Sequence, residues 1–252
     1  MTLQQSVLPT TLPIRTSSES SSLVSVIIPV FNERNTIMRI IDTVLQVPLD
    51  LEVIVVDDGS SDGTAKLLGE LSGTKSRVTV LFHPKNRGKG AAIRTGIDVA
   101  RGTFTVIQDA DLEYDPNDLV AVVAPLMAGE SRVVYGSRYL TKNAKEPFRL
   151  FRYGVTFLNA VVRVLYRCRL TDSATCYKAA PTDLLRSLEL ECNRFEFCPE
   201  LTSKLCRLGV PITEVPIGYV PRSAKEGKKI RARDGWDAFL TYWKFRKWNP
   251  RG

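Results

Sequence analysis

The stretch Phe104-Thr105-Val106-Ile107-Gln108-Asp109-Ala110-Asp111-Leu112-Glu113 decides how the rest of the chain is read. Four apolar or β-branched residues run into three carboxylates spaced two apart. A short apolar run of this kind has the profile of a central parallel strand. Acidic side chains just past its end fall in the crevice at the carboxyl edge of an open α/β sheet, where ligands bind. Three hard oxygen donors within five residues, Asp109, Asp111 and Glu113, suit Mg²⁺ or Mn²⁺, ions that keep waters and share phosphate oxygens with a substrate. The plainer reading is a solvated acidic loop capping the helix after Pro116.

Outward from this stretch the chain alternates strand and helix patterns. Val24-Ser25-Val26-Ile27-Ile28-Pro29 reads as a first strand, and Asn35 can cap a helix over 36–47. Residues 51–56 form a second buried strand that ends at Asp57-Asp58, and a helix follows Gly63-Thr64. A strand over 78–82, a helix over 88–100, a helix over 117–128 and a strand over 133–135 continue the rhythm. Regular βαβα alternation predicts a mostly parallel sheet covered on both faces. Beyond Gly136 the rhythm changes, to an amphipathic helix over 148–165, a second helix over 196–208 and a strand over 212–219.

With 252 residues the chain can bury a substantial core. Its formal charge of +8 is concentrated at the end: from Arg222 onward there are ten Lys or Arg against three acids. A basic tail of this kind implies an anionic partner. Five cysteines, an odd number without CxxC spacing, and a single His argue against a disulfide framework or a zinc site and fit a reducing cytosolic setting. No run reaches the ~18 apolar residues of a membrane-spanning helix. Residues 1–22 are rich in Ser and Thr and read as a disordered leader.

Three further motifs sit at strand ends. Pro29-Val30-Phe31-Asn32-Glu33 offers an aromatic that can stack on a base and a carboxylate, Glu33, that can accept from base or ribose; its bland counterpart is a turn entering a helix. Asp57-Asp58-Gly59-Ser60-Ser61-Asp62-Gly63-Thr64 is a tight glycine-bearing loop with Asp58 placed to accept from a base or ribose. Neither GxGxxG nor GxxxxGK[ST] occurs, so a glycine-rich helix entrance is not the nucleotide site. Asn86-Arg87-Gly88-Lys89-Gly90 puts a cation before a helix N-terminus, a setting that favours an anion.

Taken in order, PVFNE, DDGSSDGT, NRGKGAA and DADLEYDP resemble the family 2 glycosyltransferases, and within them the polyprenyl-phosphate sugar transferases. The resemblance covers 24–140 and continues, less tightly, through Gly136-Ser137-Arg138-Tyr139, 171–178, 195–200 and 226–230. It implies an α/β GT-A fold (Rossmann-like, nucleotide-sugar-binding) over 23–221, with a nucleotide-binding half at 23–140 and an acceptor-side half at 141–221. Residues 222–252 would then be a basic mobile loop and an amphipathic C-terminal helix.

By position the resemblance places Pro29, Phe31, Glu33, Asp58, Lys89 and Asp109 on the donor, with Lys228 and Lys229 in a segment that closes over its diphosphate. Asp109, Asp111 and Glu113 match the metal site for Mg²⁺ or Mn²⁺, although Glu113 stands where such enzymes often carry Gln. Ser137, Arg138, Arg149 and Arg152 would meet the acceptor phosphate, and Asp172 and Glu200 the sugar. Asp109, Asp111 and Arg138 would carry the chemistry. One departure is Cys176, where these enzymes usually have Gly.

The implied reaction moves a hexose, mannose or glucose, from GDP-mannose or UDP-glucose to a polyprenyl or dolichyl phosphate with inversion. An ionised lipid phosphate needs no general base, whereas a hydroxyl acceptor would need a positioned carboxylate, for which Asp172 and Glu200 are the candidates. A soluble or glycan hydroxyl acceptor is the alternative, and a non-catalytic nucleotide-sugar-binding subunit of a membrane complex is a second.

Trp236, Phe239, Leu240 and Trp243 share one helical face among basic residues, as in helices that lie at a membrane surface. A terminal helix docked on the core is the equal alternative. No nucleic-acid motif accompanies the aromatic–basic pattern. The resulting expectation is a peripheral enzyme at the cytosolic face of a membrane, with room for an anchoring partner protein.

Overall fold

The computed structural model describes residues 22–140, 149–222 and 232–249, and for 149–151 and 232 the backbone alone. All but the last residue of the 1–22 leader, and the pair Lys228 and Lys229, lie outside the described residues.

Chain order is β1 (Val24–Val30), α1 (Ile37–Gln46), β2 (Leu51–Asp57), α2 (Thr64–Leu71), β3 (Val78–Phe82), α3 (Lys89–Val99) and β4 (Phe104–Ile107). There follow α4 (Leu119–Met127), β5 (Val133–Ser137), α5 (Arg149–Tyr166), β6 (Lys178–Pro181), α6 (Thr182–Ser187), α7 (Phe197–Arg207), β7 (Ile212–Pro216) and α8 (Ala232–Phe245). The seven strands lie in the order β3-β2-β1-β4-β6-β5-β7. Parallel pairing joins β3, β2, β1 and β4, and β5 runs parallel to β7.

The central strands are apolar on both faces because both faces are covered: all seven residues of β2 are buried, and so are six of the seven in β1. The carboxylate of Glu52, inside this layer, accepts from Ser25 Oγ at 2.7 Å and from Arg101 N and Nε at 2.6 and 2.9 Å. Helix α3 comes so close to β1 that a Cβ on Gly96 would sit 2.6 Å from Ile27.

Several details differ from the sequence reading, among them the short helix α6, which it does not contain. Thr36 precedes α1 as its cap residue, and Asn35 is exposed; the Thr36 hydroxyl donates to Glu33 Oε2 at 2.9 Å. The last strand stops at Pro216, which has no N–H to donate. Strand β6, which the sequence pattern does not announce, is four residues long and antiparallel to both β4 and β5. It joins the parallel block β3-β2-β1-β4 to the parallel pair of β5 and β7.

Candidate active site

The ends of β1, β2 and β4 converge, and their loops are tied together by side chain to backbone hydrogen bonds. Asn32, in the left-handed region at φ 54°, donates its N–H to Ser60 Oγ at 2.8 Å and accepts from Ser61 N at 2.8 Å. Glu33 N donates to Thr64 Oγ1 at 3.0 Å. Asp62 accepts from Thr64 N and Oγ1 and from Arg34 N. PVFNE and DDGSSDGT are therefore one connected rim. Pro29 and Phe31 stand half-buried on it.

Asp58 is turned into the protein. Its carboxylate accepts from Arg87 N at 2.9 Å and Gly88 N at 2.7 Å and lies 2.7 Å from His83 Nδ1, while His83 Nε2 reaches Thr95 Oγ1 at 3.0 Å. These contacts fix the NRGKG loop against β2. Gly88 suits this turn: its φ is +100°, and a Cβ would lie 2.4 Å from the Asn193 carbonyl oxygen. The loop delivers Lys89 into the interior, where it pairs with Asp109 and lies 3.4 Å from Cys176 Sγ. Burial alone would lower the Lys89 ammonium, but the Asp109 carboxylate beside it holds it well above its ordinary range.

Asp111 faces the opposite condition. Burial, together with the charges of Asp109 and Glu113, pushes its carboxyl up to about 7. Between Asp111 and Glu113, Leu112 takes φ 63°, a costly conformation that clusters at ligand sites. Among the described residues no three His, Cys, Asp or Glu side chains converge into a ready-made metal cage. Glu113 is engaged elsewhere, accepting from Tyr219 OH at 3.0 Å and from Arg222 N at 2.9 Å. Asp109 and Asp111 are hard oxygen donors whose crowded negative charge a cation would relieve. They fit a Mg²⁺- or Mn²⁺-type ion that draws its other ligands from water and a substrate phosphate.

The sequence reading counts Arg222 only in the basic tail, yet it spans the mouth of the site. Its Nη1 and Nη2 donate to the two Glu33 oxygens at 3.2 and 2.9 Å, and its Nε to the Asp111 carbonyl at 2.7 Å. With Tyr219 and the bond from Val220 N to Glu113 O, it straps the chain after β7 across the ends of β1 and β4. Under the strap is a cleft of about 590 Å³ lined by residues including Asn32, Glu33, Asp62, Asp111, Leu112 and Arg222. The available sequence signal was an arginine just after a strand, ahead of the lysine cluster.

The other flank of the site is built of buried ion pairs. Arg138 donates from Nε and Nη2 to the two Asp172 oxygens at 2.7 and 2.8 Å, and its own N–H adds a third bond. Its guanidinium also lies 5.1 Å from the centre of the Tyr219 ring, close to the strap. Ser137 Oγ lies 2.6 Å from Thr171 Oγ1. Glu200 pairs with Lys204 at 2.8 Å and accepts from Glu191 N and Cys192 N, which secures the loop backing Gly88 and Gly90. Thus Arg138 and Asp172 are brought together, and Glu200 is bound elsewhere. The Arg152 guanidinium lies 5.7 Å from the centre of the Tyr139 ring. Arg149 opens α5, and its side chain is outside the described residues.

A seven-stranded, mostly parallel sheet with helices packed on it, its loops gathered at the carboxyl edge, is an α/β fold of the GT-A type. The chain belongs to glycosyl transferase family 2, whose family model matches residues 25–170. It is 30% identical over 240 residues to polyprenol monophosphomannose synthase of Mycolicibacterium smegmatis, covering 90% of this chain and 87% of that protein. It is 29% identical over 236 residues to UDP-N-acetylglucosamine–dolichyl-phosphate N-acetylglucosaminyltransferase of Methanococcus voltae, covering 84% and 92%. It is 26% identical to glycosyltransferase AglD of Haloferax volcanii across 82% of this chain but only 35% of that longer protein. Among solved structures, glucosyl-3-phosphoglycerate synthase from Mycobacterium tuberculosis with Mn²⁺, UDP and phosphoglyceric acid superposes at a TM-score of 0.68. At 22% identity, over 90% of this chain and 80% of that one, that match speaks to the fold.

Proposed function

We propose that this glycosyltransferase moves a hexose, mannose or glucose, from GDP-mannose or UDP-glucose to a polyprenyl phosphate, inverting the anomeric centre, at the cytosolic face of a membrane. The observation that carries the acceptor is the state of the two candidate bases. Asp172 is wholly buried against Arg138, and Glu200 is wholly buried against Lys204. Each accepts hydrogen bonds on both oxygens, and neither is placed to take a proton from a hydroxyl. The single histidine is held between Asp58 and Thr95. An acceptor that arrives already ionised needs none of them. The names of two relatives, which specify polyprenol and dolichyl phosphate, agree with this reading.

In this reading Phe31 and the rim formed by 29–33 and 58–64 receive the base and ribose. Asp109 and Asp111 would hold Mg²⁺ or Mn²⁺, which when bound stabilises the charge developing on the departing diphosphate. Lys89 holds Asp109 in place. Arg222 adds positive charge above the donor. Arg152, beside Tyr139 near the head of α5, supplies charge for the acceptor phosphate, and Arg138 orders that corner through Asp172. Bringing two anions together is the main demand, and fixed cations meet it.

The test is transfer from labelled GDP-mannose and UDP-glucose, with and without polyprenyl phosphate and with and without divalent metal. Label entering the organic phase only with both lipid and metal supports the reading and names the donor. Equal donor turnover without lipid rejects it in favour of a soluble acceptor.

A further inference from the structure

Helices α5 and α8 each carry two apolar faces, and the protein uses one of the two. The inward faces close the molecule: Val155, Leu158 and Val162 of α5 are buried, as are Tyr242 and Phe245 of α8. Tyr166 locks the helices to each other by donating its hydroxyl to the Tyr242 carbonyl at 2.6 Å. The outward faces are surplus to this packing. On α5, Tyr153, Phe157, Ala160 and Val164 recur at i, i+4, i+7 and i+11, all exposed. On α8, Trp236, Leu240 and Trp243 recur at i, i+4 and i+7, also exposed. Phe239, which the sequence pattern puts on this outward face, is partly buried and touches both helices' stripes. Its ring lies 6.0 Å from Phe157 and 5.3 Å from Trp236.

The two stripes therefore adjoin. Six of the thirteen exposed large apolar side chains among the described residues sit on these two helices, each at least 45% exposed. Contiguous apolar surface of this kind marks a contact with something else. Charge says what. From 149 to 170 the chain has five arginines and no carboxylate. Arg152 and Arg163 directly precede Tyr153 and Val164, and both are exposed. Just past the end of α8 the Arg246 guanidinium stacks 3.9 Å from the centre of the Trp243 ring. Tyr and Trp with an apolar body and a polar edge, flanked by long cations whose heads can reach up to phosphate, match the boundary layer of a bilayer. No described helix is long and apolar enough to cross a membrane, so the contact would be one of lying on the surface.

We propose that the joint outward face of α5 and α8 docks on a lipid bilayer bearing anionic headgroups, with α5 contributing as much as the C-terminal helix. The proposal rests on the lipid-acceptor reading for its purpose. Arg152, in the first turns of α5, lies beside Tyr139 at the acceptor corner, so docking along α5 sets that corner against the membrane.

The test is flotation of the full chain with vesicles of phosphatidylcholine alone and of phosphatidylcholine mixed with phosphatidylglycerol. The chain should float with the anionic vesicles and be released as salt is raised. Tyr153→Ser with Val164→Ser should lower that binding about tenfold, an order-of-magnitude expectation from withdrawing two apolar side chains from the interface. Leu240→Ser should lower it several-fold. Thermal unfolding, and turnover on polyprenyl phosphate dispersed in detergent, should not change. Val164 is 77% exposed, so its loss leaves the core intact.

Binding unaffected by the α5 substitutions would overturn the proposal while leaving the acceptor reading in place. So would failure of the native chain to float, and a dimer abolished by the same substitutions would then assign the face to a second copy. Conversely, substitution-sensitive flotation with transfer only to soluble acceptors would uphold the surface and reject the acceptor reading.

Discussion

The loop after β2 on the proposed donor side and the Arg138 flank on the proposed acceptor side handle buried charge differently. On the donor side, the carboxylates of the loop after β2 are held largely by backbone N–H groups: Asp58 by residues 87 and 88, Asp62 by 34 and 64, and one oxygen of Asp57 by Ser60. On the acceptor side a buried cation is added to the backbone N–H groups, Arg138 on Asp172 and Lys204 on Glu200, with almost no exposure. Backbone-held carboxylates fix loops, and a loop so fixed can present a rim to a nucleotide. Ion pairs fix charges, and a charge so committed is no base. The difference is why the donor side is shaped by loop geometry and the acceptor side by what its charges are already doing.

The contrast predicts unequal responses to substitution. Asp172→Ala leaves Arg138 buried without its partner and should cost about 3–5 kcal/mol, seen as a lower urea midpoint with unchanged slope. A loss under about 1 kcal/mol, the range of solvated surface pairs, would mean that the pair is more hydrated than its burial indicates. Arg222→Lys cannot reproduce the two-pronged bond to Glu33, so the apparent KM for donor should rise about tenfold with little change in urea midpoint. An equal rise for acceptor would place the strap on the wrong substrate.

The smallest effect is on acid stability. Burial raises the Glu52 carboxyl, but hydrogen bonds from Ser25 and Arg101 outweigh it and hold the group below its ordinary value. Asp62 behaves likewise, with Thr64 and Arg34 outweighing its burial. Stability from a depressed carboxyl is complete above the unfolded-state value, about pH 4, and is lost as pH falls through the folded one. Glu52→Gln should therefore flatten the acid limb of the stability curve and leave its shape near neutrality. An unchanged acid limb would remove Glu52 from the account.

Much of the N-terminal half was legible because its information is local. Short apolar runs followed by polar or acidic residues place β1, β2 and β4 and their loops without knowledge of anything distant. The pairing of Lys89 with Asp109 was not legible, since it joins a helix start to another strand's end. Strand β6 escaped because Lys178-Ala179-Ala180-Pro181 shows neither alternation nor a β-branched run; its position is dictated by the neighbours it joins. Arg222 escaped for a similar reason. Among ten basic residues in the tail, only its place ahead of the lysine cluster sets this one apart, and nothing local says that it folds back onto Glu33. The Trp236 face was legible by periodicity, but its continuation on α5 was not, because only packing brings the two helices side by side.

In the proposed reaction the nucleophile arrives ionised. The most direct test compares a polyprenyl phosphate with the corresponding polyprenol as acceptor, at equal detergent, donor and metal concentrations. Transfer to the phosphate is expected, and none detectable to the alcohol. Comparable rates on the alcohol would contradict it, and would require a base that the buried pairs of Asp172 and Glu200 do not supply.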